Sequence, residues 1–371
     1  MKKLFLRLYT FLERLWRVHV VDGFILRSSI KKFYRVAAGH ILFQSLAAAV
    51  ELDLFTLLDR EGSQTLQDLA RRLKLQDQPC RVLLQGLLAS GVLKKRGSRY
   101  ANTMMSRIAF AGSGPSTLKA TILWQKHIVY RPMARLLESI REYRNIGLDE
   151  ISGTGNTLYE RISSHPDLEK IFQDSMQEIS VQANDLLARY VDFSDARAVV
   201  DVGGGNGTNL MAIARQNPHL EGRIFDLPSV CSRARANFQR GDMSKRLGAI
   251  EGDMRQDPFP EGADVFLFCH LLCIWSNEQN VQLLKKAFDK LPQGGRTIVF
   301  DIMERETRDG PLAAAMGSPY FLGLATGTGM IYSEEEYEDF CRAAGFGEVR
   351  RVRLPRGHTA IIATKGTGGV S

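Results

Sequence analysis

Cysteine is scarce. Cys80, Cys231, Cys269, Cys273 and Cys341 are the five in 371 residues, an odd number with no zinc-like spacing beside histidine. This usage excludes a disulfide scaffold, no metal site is expected, and reduced thiols in a cytoplasmic setting fit it. No run of about 18 uncharged apolar residues occurs, which argues against a spanning helix. Arg7, Glu13, Arg14 and Arg17 break the N-terminal apolar pattern before it reaches the length of an export signal. Repeats and low-complexity tracts are also missing. With 44% hydrophobic and 24% charged residues, the chain matches an ordinary globular protein, long enough for two domains.

What is present in excess is positive charge, and it is unevenly spread. Of the net +8, nine Lys and Arg against Glu13 and Asp22 fall within residues 1–35. The rest is close to neutral, which speaks against nucleic acid as a partner. Within that basic end, Leu4, Phe5, Leu8, Phe11, Leu12, Leu15 and Trp16 follow helical spacing. Two roles stay open for it: packing on the protein body or a partner subunit, or resting peripherally on an anionic membrane.

From residue 36 to 193 the apolar periodicity is helical. Thr65 is placed to cap a helix over 66–73, a second helix spans 81–88, and Gly91 ends it. Val92–Lys95 with Arg99 and Tyr100 then predicts a small hairpin, completing a winged-helix outline. Its second helix offers only Arg81 and Gln85 for reading bases, too few for a recognition helix. Dimerisation or covering a substrate is the expected role of this domain.

After Asp195 the texture changes. Short apolar runs at 198–202, 223–226, 248–250, 264–269 and 296–301 alternate with helical stretches, which predicts a parallel sheet covered on both faces and a third segment over 194–371. Such sheets bind ligands at the carboxyl ends of their strands.

The first of these strands runs straight into Asp201-Val202-Gly203-Gly204-Gly205-Asn206-Gly207. Glycines there permit a tight turn and close approach of a ligand. An acidic residue directly before them would repel a pyrophosphate but suits a cationic, amino-acid-bearing ligand such as S-adenosylmethionine. Asp226 ends the next strand, where a carboxylate can accept from both ribose hydroxyls. Asp253 and Met254 follow the third, placed for an adenine amino group and an apolar ring contact. Three acids at successive strand ends point to a methyl-donor site.

With these motifs the chain resembles the S-adenosylmethionine-dependent O-methyltransferases of the caffeate and hydroxyindole type. The segments Val36–Ser45 and Met316–Phe321 are most similar to the bacterial carotenoid O-methyltransferases. Leu267–Cys269, Asn277–Gln279 and Lys285–Asp289 are similar to the bacteriochlorophyllide C-20 methyltransferase. The resemblance implies an α/β fold: a Rossmann-like class I methyltransferase domain behind an all-α, winged-helix-like dimerisation domain, assembled as a homodimer. It implies cofactor contacts at Asp201, Gly203, Gly205, Asp226, Asp253 and Met254, with His270 beside the cofactor. It also implies a small lipophilic or aromatic acceptor from secondary metabolism, lined by Phe172 and Met176. Trp124, Met316, Tyr320, Phe321 and Met330 would add apolar wall.

One part of the pattern is broken. The family's catalytic histidine lies in a Leu-His-Asp-Trp run, and here that run is Leu272-Cys273-Ile274-Trp275. A thiol is a poor substitute for the base, since its thiolate competes for the methyl group. His270 stands nearly one helical turn before Cys273, as a cofactor-pocket residue or as a displaced base. Asp301 matches the acid that orients the family's base, and its role is open between substrate contact and capping the next segment. The second orienting acid falls at Ile331. Positioning donor and acceptor can supply about 7–11 kcal/mol of the barrier, whereas a general base gives about 10²- to 10⁴-fold. An acceptor that is nucleophilic by itself therefore fits best. Oxygen is favoured by family weight, carbon is the close rival, and a non-methylating elimination or rearrangement is the third reading.

Overall fold

The computed structural model describes residues 9–14, 27–112 and 117–366. The chain divides into two compact units, Met1–Ser113 and Gly114–Ser371. The helices from Lys119 to Tyr190 thus belong to the second unit, and the division falls well before the change of texture at Asp195.

In the first unit, α1 (Arg27–Ala37), α2 (Gly39–Glu51) and α3 (Leu54–Glu61) follow one another. The apolar stripe of α2 and α3 buries Ala47, Ala49, Val50, Leu54, Phe55 and Leu58. Thr65 caps α4 (Leu66–Arg72), its hydroxyl accepting from the Asp68 N–H. The next helix, α5 (Asp77–Ala89), begins earlier than its apolar run suggests and buries Cys80, Leu84 and Leu87. β1 (Gln64–Thr65), β2 (Leu93–Arg96) and β3 (Arg99–Asn102) form a small antiparallel sheet in the order β1-β3-β2, the wing of the expected outline. Residues 9–14 are helical, with Phe11 and Leu12 exposed. Leu4, Phe5, Leu8, Leu15 and Trp16 lie outside the described residues. Among the described residues, no single helix is long and apolar enough to cross a membrane.

The second unit opens with helices α6 (Lys119–Trp124), α7 (Leu136–Glu142), α8 (Leu158–Ile162) and α9 (Pro166–Tyr190). Strand and helix then alternate through β4 (Ala198–Val202), α10 (Thr208–Gln216), β5 (Glu221–Asp226), α11 (Pro228–Arg240), β6 (Leu247–Glu251), β7 (Val265–Cys269), α12 (Asn277–Lys290) and β8 (Arg296–Ile302). The chain closes with α13 (Leu312–Tyr320), α14 (Glu334–Ala343), β9 (Glu348–Arg353) and β10 (His358–Thr364). The seven strands lie in the order β6-β5-β4-β7-β8-β10-β9. β4 to β8 pair in parallel, whereas β10 is antiparallel to both β8 and β9. The five strands expected from the sequence thus form the parallel part of the sheet, and β10 and β9 add an antiparallel margin that the sequence did not announce. β9 and β10 are joined only by the short turn at Leu354–Gly357, and a short turn reverses the chain.

Each central strand sends alternate side chains to two cores. Val199, Ile224, Leu267 and Phe300 pack on one face; Val202, Phe225, Phe266 and Phe268 pack on the other. Both faces being buried explains why these strands are apolar throughout. Strand order reverses between β4 and β7, so the loops after β4, β5, β7 and β8 converge at a switch point.

Candidate functional site

The turn after β4 needs its glycines for separate reasons. Gly207 has φ +78, and a methyl group there would stand 2.4 Å from the Phe238 ring, so it holds loop and helix together. Gly205 has φ +57, yet a methyl group there would meet nothing within 4 Å. The backbone at Gly205 borders open space, as a ligand cradle requires. Asp226, at the end of β5, fixes this turn by accepting from the Gly205 N–H at 2.9 Å. Met254 also closes on it: a side chain on Gly203 would come within 3.3 Å of its methyl.

The three acids differ in condition. Asp201 is fully buried, and neither carboxylate oxygen has a hydrogen-bond partner. Burial, and then the charge of Asp226, push its carboxyl well above the ordinary range. Burial also raises Asp226, opposed by the N–H groups of Leu227 and Gly205. Asp253 is satisfied within its own turn, accepting from Arg255 N–H at 2.8 Å and Gln256 Nε2 at 3.0 Å. Burial raises it, but the Arg255 and Gln256 hydrogen bonds win and hold it low. A buried unpaired acid beside an open glycine cradle is complementary to a cation. The residues present thus fit an aminoacyl sulfonium nucleoside.

Between β7 and α12 the chain makes the turn that carries the broken motif. Cys269 aligns with Phe300 across the sheet, so His270 and Asp301 emerge side by side. His270 takes a left-handed backbone (φ 49) with its N–H donating to Phe300 O at 2.9 Å, a conformation uncommon outside glycine. Its Nδ1 lies 3.1 Å from Asp301 Oδ1. Its Nε2 is buried and has no partner. Asp301 also accepts from the Ile302 N–H at 2.8 Å and the Tyr337 hydroxyl at 3.3 Å. The His358 ring stands edge-on to His270, centroids 5.2 Å apart, and stacks on Phe300. Burial and His270 hold His358 down at about 4, so its ring is neutral at pH 7.

Cys273 is buried in a small apolar cluster with Ala314 and Ile331, against Ile274 and Phe321. Burial, then the Asp301 carboxylate, push its thiol well above the ordinary cysteine range. It is a neutral thiol at pH 7 and not a proton acceptor.

Phe172, Met176, Trp124, Tyr320 and Phe321 assemble in one aromatic cluster with Tyr159. Trp124 and Tyr320 meet edge to face at 5.1 Å, and Tyr159 meets Phe172 likewise at 5.7 Å. Met330 packs on the neighbouring core, whereas Met316 is largely exposed and does not contribute wall. Tyr159 in this cluster, and Tyr337 and His358 beside Asp301 and His270, escape sequence reasoning. Only the Thr157–Glu160 capping box could have located the short helix that carries Tyr159.

Comparison with known proteins extends this geometry. Residues 133–347 match an O-methyltransferase domain and residues 34–111 an O-methyltransferase dimerisation domain. The chain is 35% identical to the L-tyrosine C(3)-methyltransferase of Streptomyces lavendulae, covering 88% of this chain and 90% of that protein. It is 30% identical to the 3-hydroxy-5-methyl-1-naphthoate 3-O-methyltransferase of Streptomyces sahachiroi, over 88% and 93%. Among solved structures it is similar to the S-adenosylmethionine-dependent methyltransferase SibL, with a TM-score of 0.77 and 34% identity over 90% of this chain and 98% of that one.

Proposed function

The chain belongs to the O-methyltransferase family with an N-terminal dimerisation domain and uses S-adenosylmethionine, and from that premise we propose that it methylates a ring carbon of a small aromatic metabolite. The observation that carries this is the neutral, buried thiol of Cys273 at the family's base position, flanked by apolar Ile274 and Ile331. An unactivated hydroxyl has no proton acceptor there. The relative that methylates tyrosine at carbon 3 supports the same reading.

S-adenosylmethionine supplies an electrophilic methyl group when bound. Asp201, Gly203, Gly205, Asp226 and Met254 would hold it, with Asp253 bordering the site. A ring carbon that accepts a methyl group must lose a proton, and His270 is arranged to take it. Asp301 receives the Nδ1–H, which leaves the lone pair on the unpartnered Nε2. Neutral His358 and Phe300 hold the imidazole plane from the side. The oxygen reading keeps one specific support, the naphthoate O-methyltransferase relative.

The test uses donor carrying a ¹³C methyl group, with L-tyrosine and 3-hydroxy-5-methyl-1-naphthoate as acceptors. An aryl-methyl signal in the product is expected; a methoxy signal alone would refute carbon transfer. His270→Gln should lower kcat by about 10²- to 10⁴-fold and change cofactor affinity less than tenfold. Cys273→Ser should keep kcat within a few fold and leave the pH profile unmoved.

A further inference from the structure

We propose that Lys286 is a positioning residue of the donor site, and that its ammonium holds Met254 against the glycine turn after β4. The proposal rests on Met254 bordering S-adenosylmethionine and does not depend on which acceptor atom is methylated. Lys286 stands on α12, whose Leu283, Leu284 and Ala287 are buried in the core. Its Nζ reaches back to the loop after β6, where it donates to Met254 O at 2.5 Å and Asp257 O at 2.6 Å. The same ammonium lies over the Phe259 ring, 4.7 Å from its centroid, a contact that favours the charged form.

The turn itself does not need this lysine. The N–H groups of Gln256 and Asp257 donate to Asp253 O at 3.0 and 2.8 Å, and Asp257 Oδ2 accepts from the Asp253 N–H at 2.8 Å. Residues 253–257 are therefore closed by their own bonds. What Lys286 adds is an anchor to α12, which fixes where the closed turn sits on the sheet. Met254 is gripped by its carbonyl while its side chain packs on the core, its methyl 3.3 Å from where a Gly203 side chain would begin. The ammonium also faces the two carboxylates that the turn gathers. Burial pulls Lys286 below the ordinary lysine range, and Asp253 and Asp257 oppose that shift. Arg255 meets Asp253 from within the turn at 3.4 Å, so Lys286 is a cation supplied from another element. Hydrogen bonds from charged donors are the strong ones, and two of the three ammonium protons are spent here. Without them the turn can drift from the glycine cradle, and nucleoside affinity falls although no contact residue has changed.

Calorimetric titration of the full chain with S-adenosylhomocysteine tests this without turnover. Lys286→Met keeps the stem, removes the charge, and should weaken binding about tenfold or more. Lys286→Cys should show the same loss. Alkylating that thiol with 2-bromoethylamine rebuilds an ammonium at nearly the same reach, and should return affinity to within about threefold of wild type. The five native cysteines are buried, and wild type carried through the same treatment is the control. Rescue by the restored ammonium separates its charge from the packing of the stem. Should Lys286→Met not fold, Lys286→Gln takes its place, with a smaller loss in the same direction because an N–H donor is kept. Affinity unchanged in the neutral variant, or a loss in Lys286→Cys that alkylation does not reverse, overturns the proposal. Met254→Ala isolates the premise: if that variant binds as wild type does, Met254 does not border the cofactor and the premise fails. A loss there with none in Lys286→Met removes the positioning role alone.

Discussion

Asp201, proposed above as a cofactor contact, would set stability against function in one side chain. In the folded protein its carboxyl is raised by burial and by Asp226, so the fold holds this proton more tightly than the unfolded chain, where the pKa is about 3.9. Its contribution is therefore neutral below about pH 4 and turns destabilising as the pH climbs towards the folded value. Asp201→Asn should raise the melting temperature of the cofactor-free protein at pH 7 by a few degrees. The gain should vanish near pH 4, and cofactor affinity should fall at least tenfold. Differential scanning calorimetry across pH, paired with S-adenosylhomocysteine titration, checks all three. Asp201 and Asp226 were legible in the sequence because a strand end fixes where its last acid goes. His270 was visible only as an ambiguous residue. Its bond to Asp301 depends on the register of β7 against β8, which spacing along one segment does not contain. His358 is more remote still, since it arrives on a strand of opposite direction.

Among the elements, α6 shows how the aromatic cluster is held. This six-residue helix has no capping side chain of its own at Leu118. Glu178, from α9, takes that role by accepting from the N–H groups of Ala120 and Thr121 and the hydroxyls of Thr117 and Thr121, at 2.7 to 3.1 Å. A carboxylate at a helix N-terminus also meets the favourable end of its dipole. Glu178→Ala leaves two N–H groups without their acceptor and should destabilise the protein by about 1–3 kcal/mol. Because α6 carries Trp124, the acceptor KM should rise while cofactor affinity stays the same; steady-state kinetics with parallel calorimetry separates the two. Elements with one dominant signal were legible: the apolar strands β4 to β8, and the capped helix after Thr65. β9 was not, because its sequence Glu-Val-Arg-Arg-Val-Arg looks like a solvated loop. Its Arg351 and Arg353 instead pair with Glu334 and Glu338 of α14, a partnership between segments that periodicity cannot reveal.

For the molecule as a whole, the match to a dimerisation domain over 34–111 coincides with apolar side chains that the single chain leaves in water. Phe33, Tyr34, Val36 and Ile41 on α1 and α2 are 60–84% exposed, more than a monomer surface ordinarily concentrates in so short a segment. Sedimentation should therefore find a species of twice the chain mass, and Val36→Glu with Ile41→Glu should shift it towards the single chain. Every residue argued for chemistry lies in the second unit, whose sheet ends on one side in the arginine-bearing strand β9. Unpaired strand margins invite another chain to add on, and bulky like charges discourage it. Arg350 is exposed on β9, so two such margins brought together would set guanidinium against guanidinium. Lateral accretion of one sheet upon another is opposed there, and association is left to the helical end of the chain.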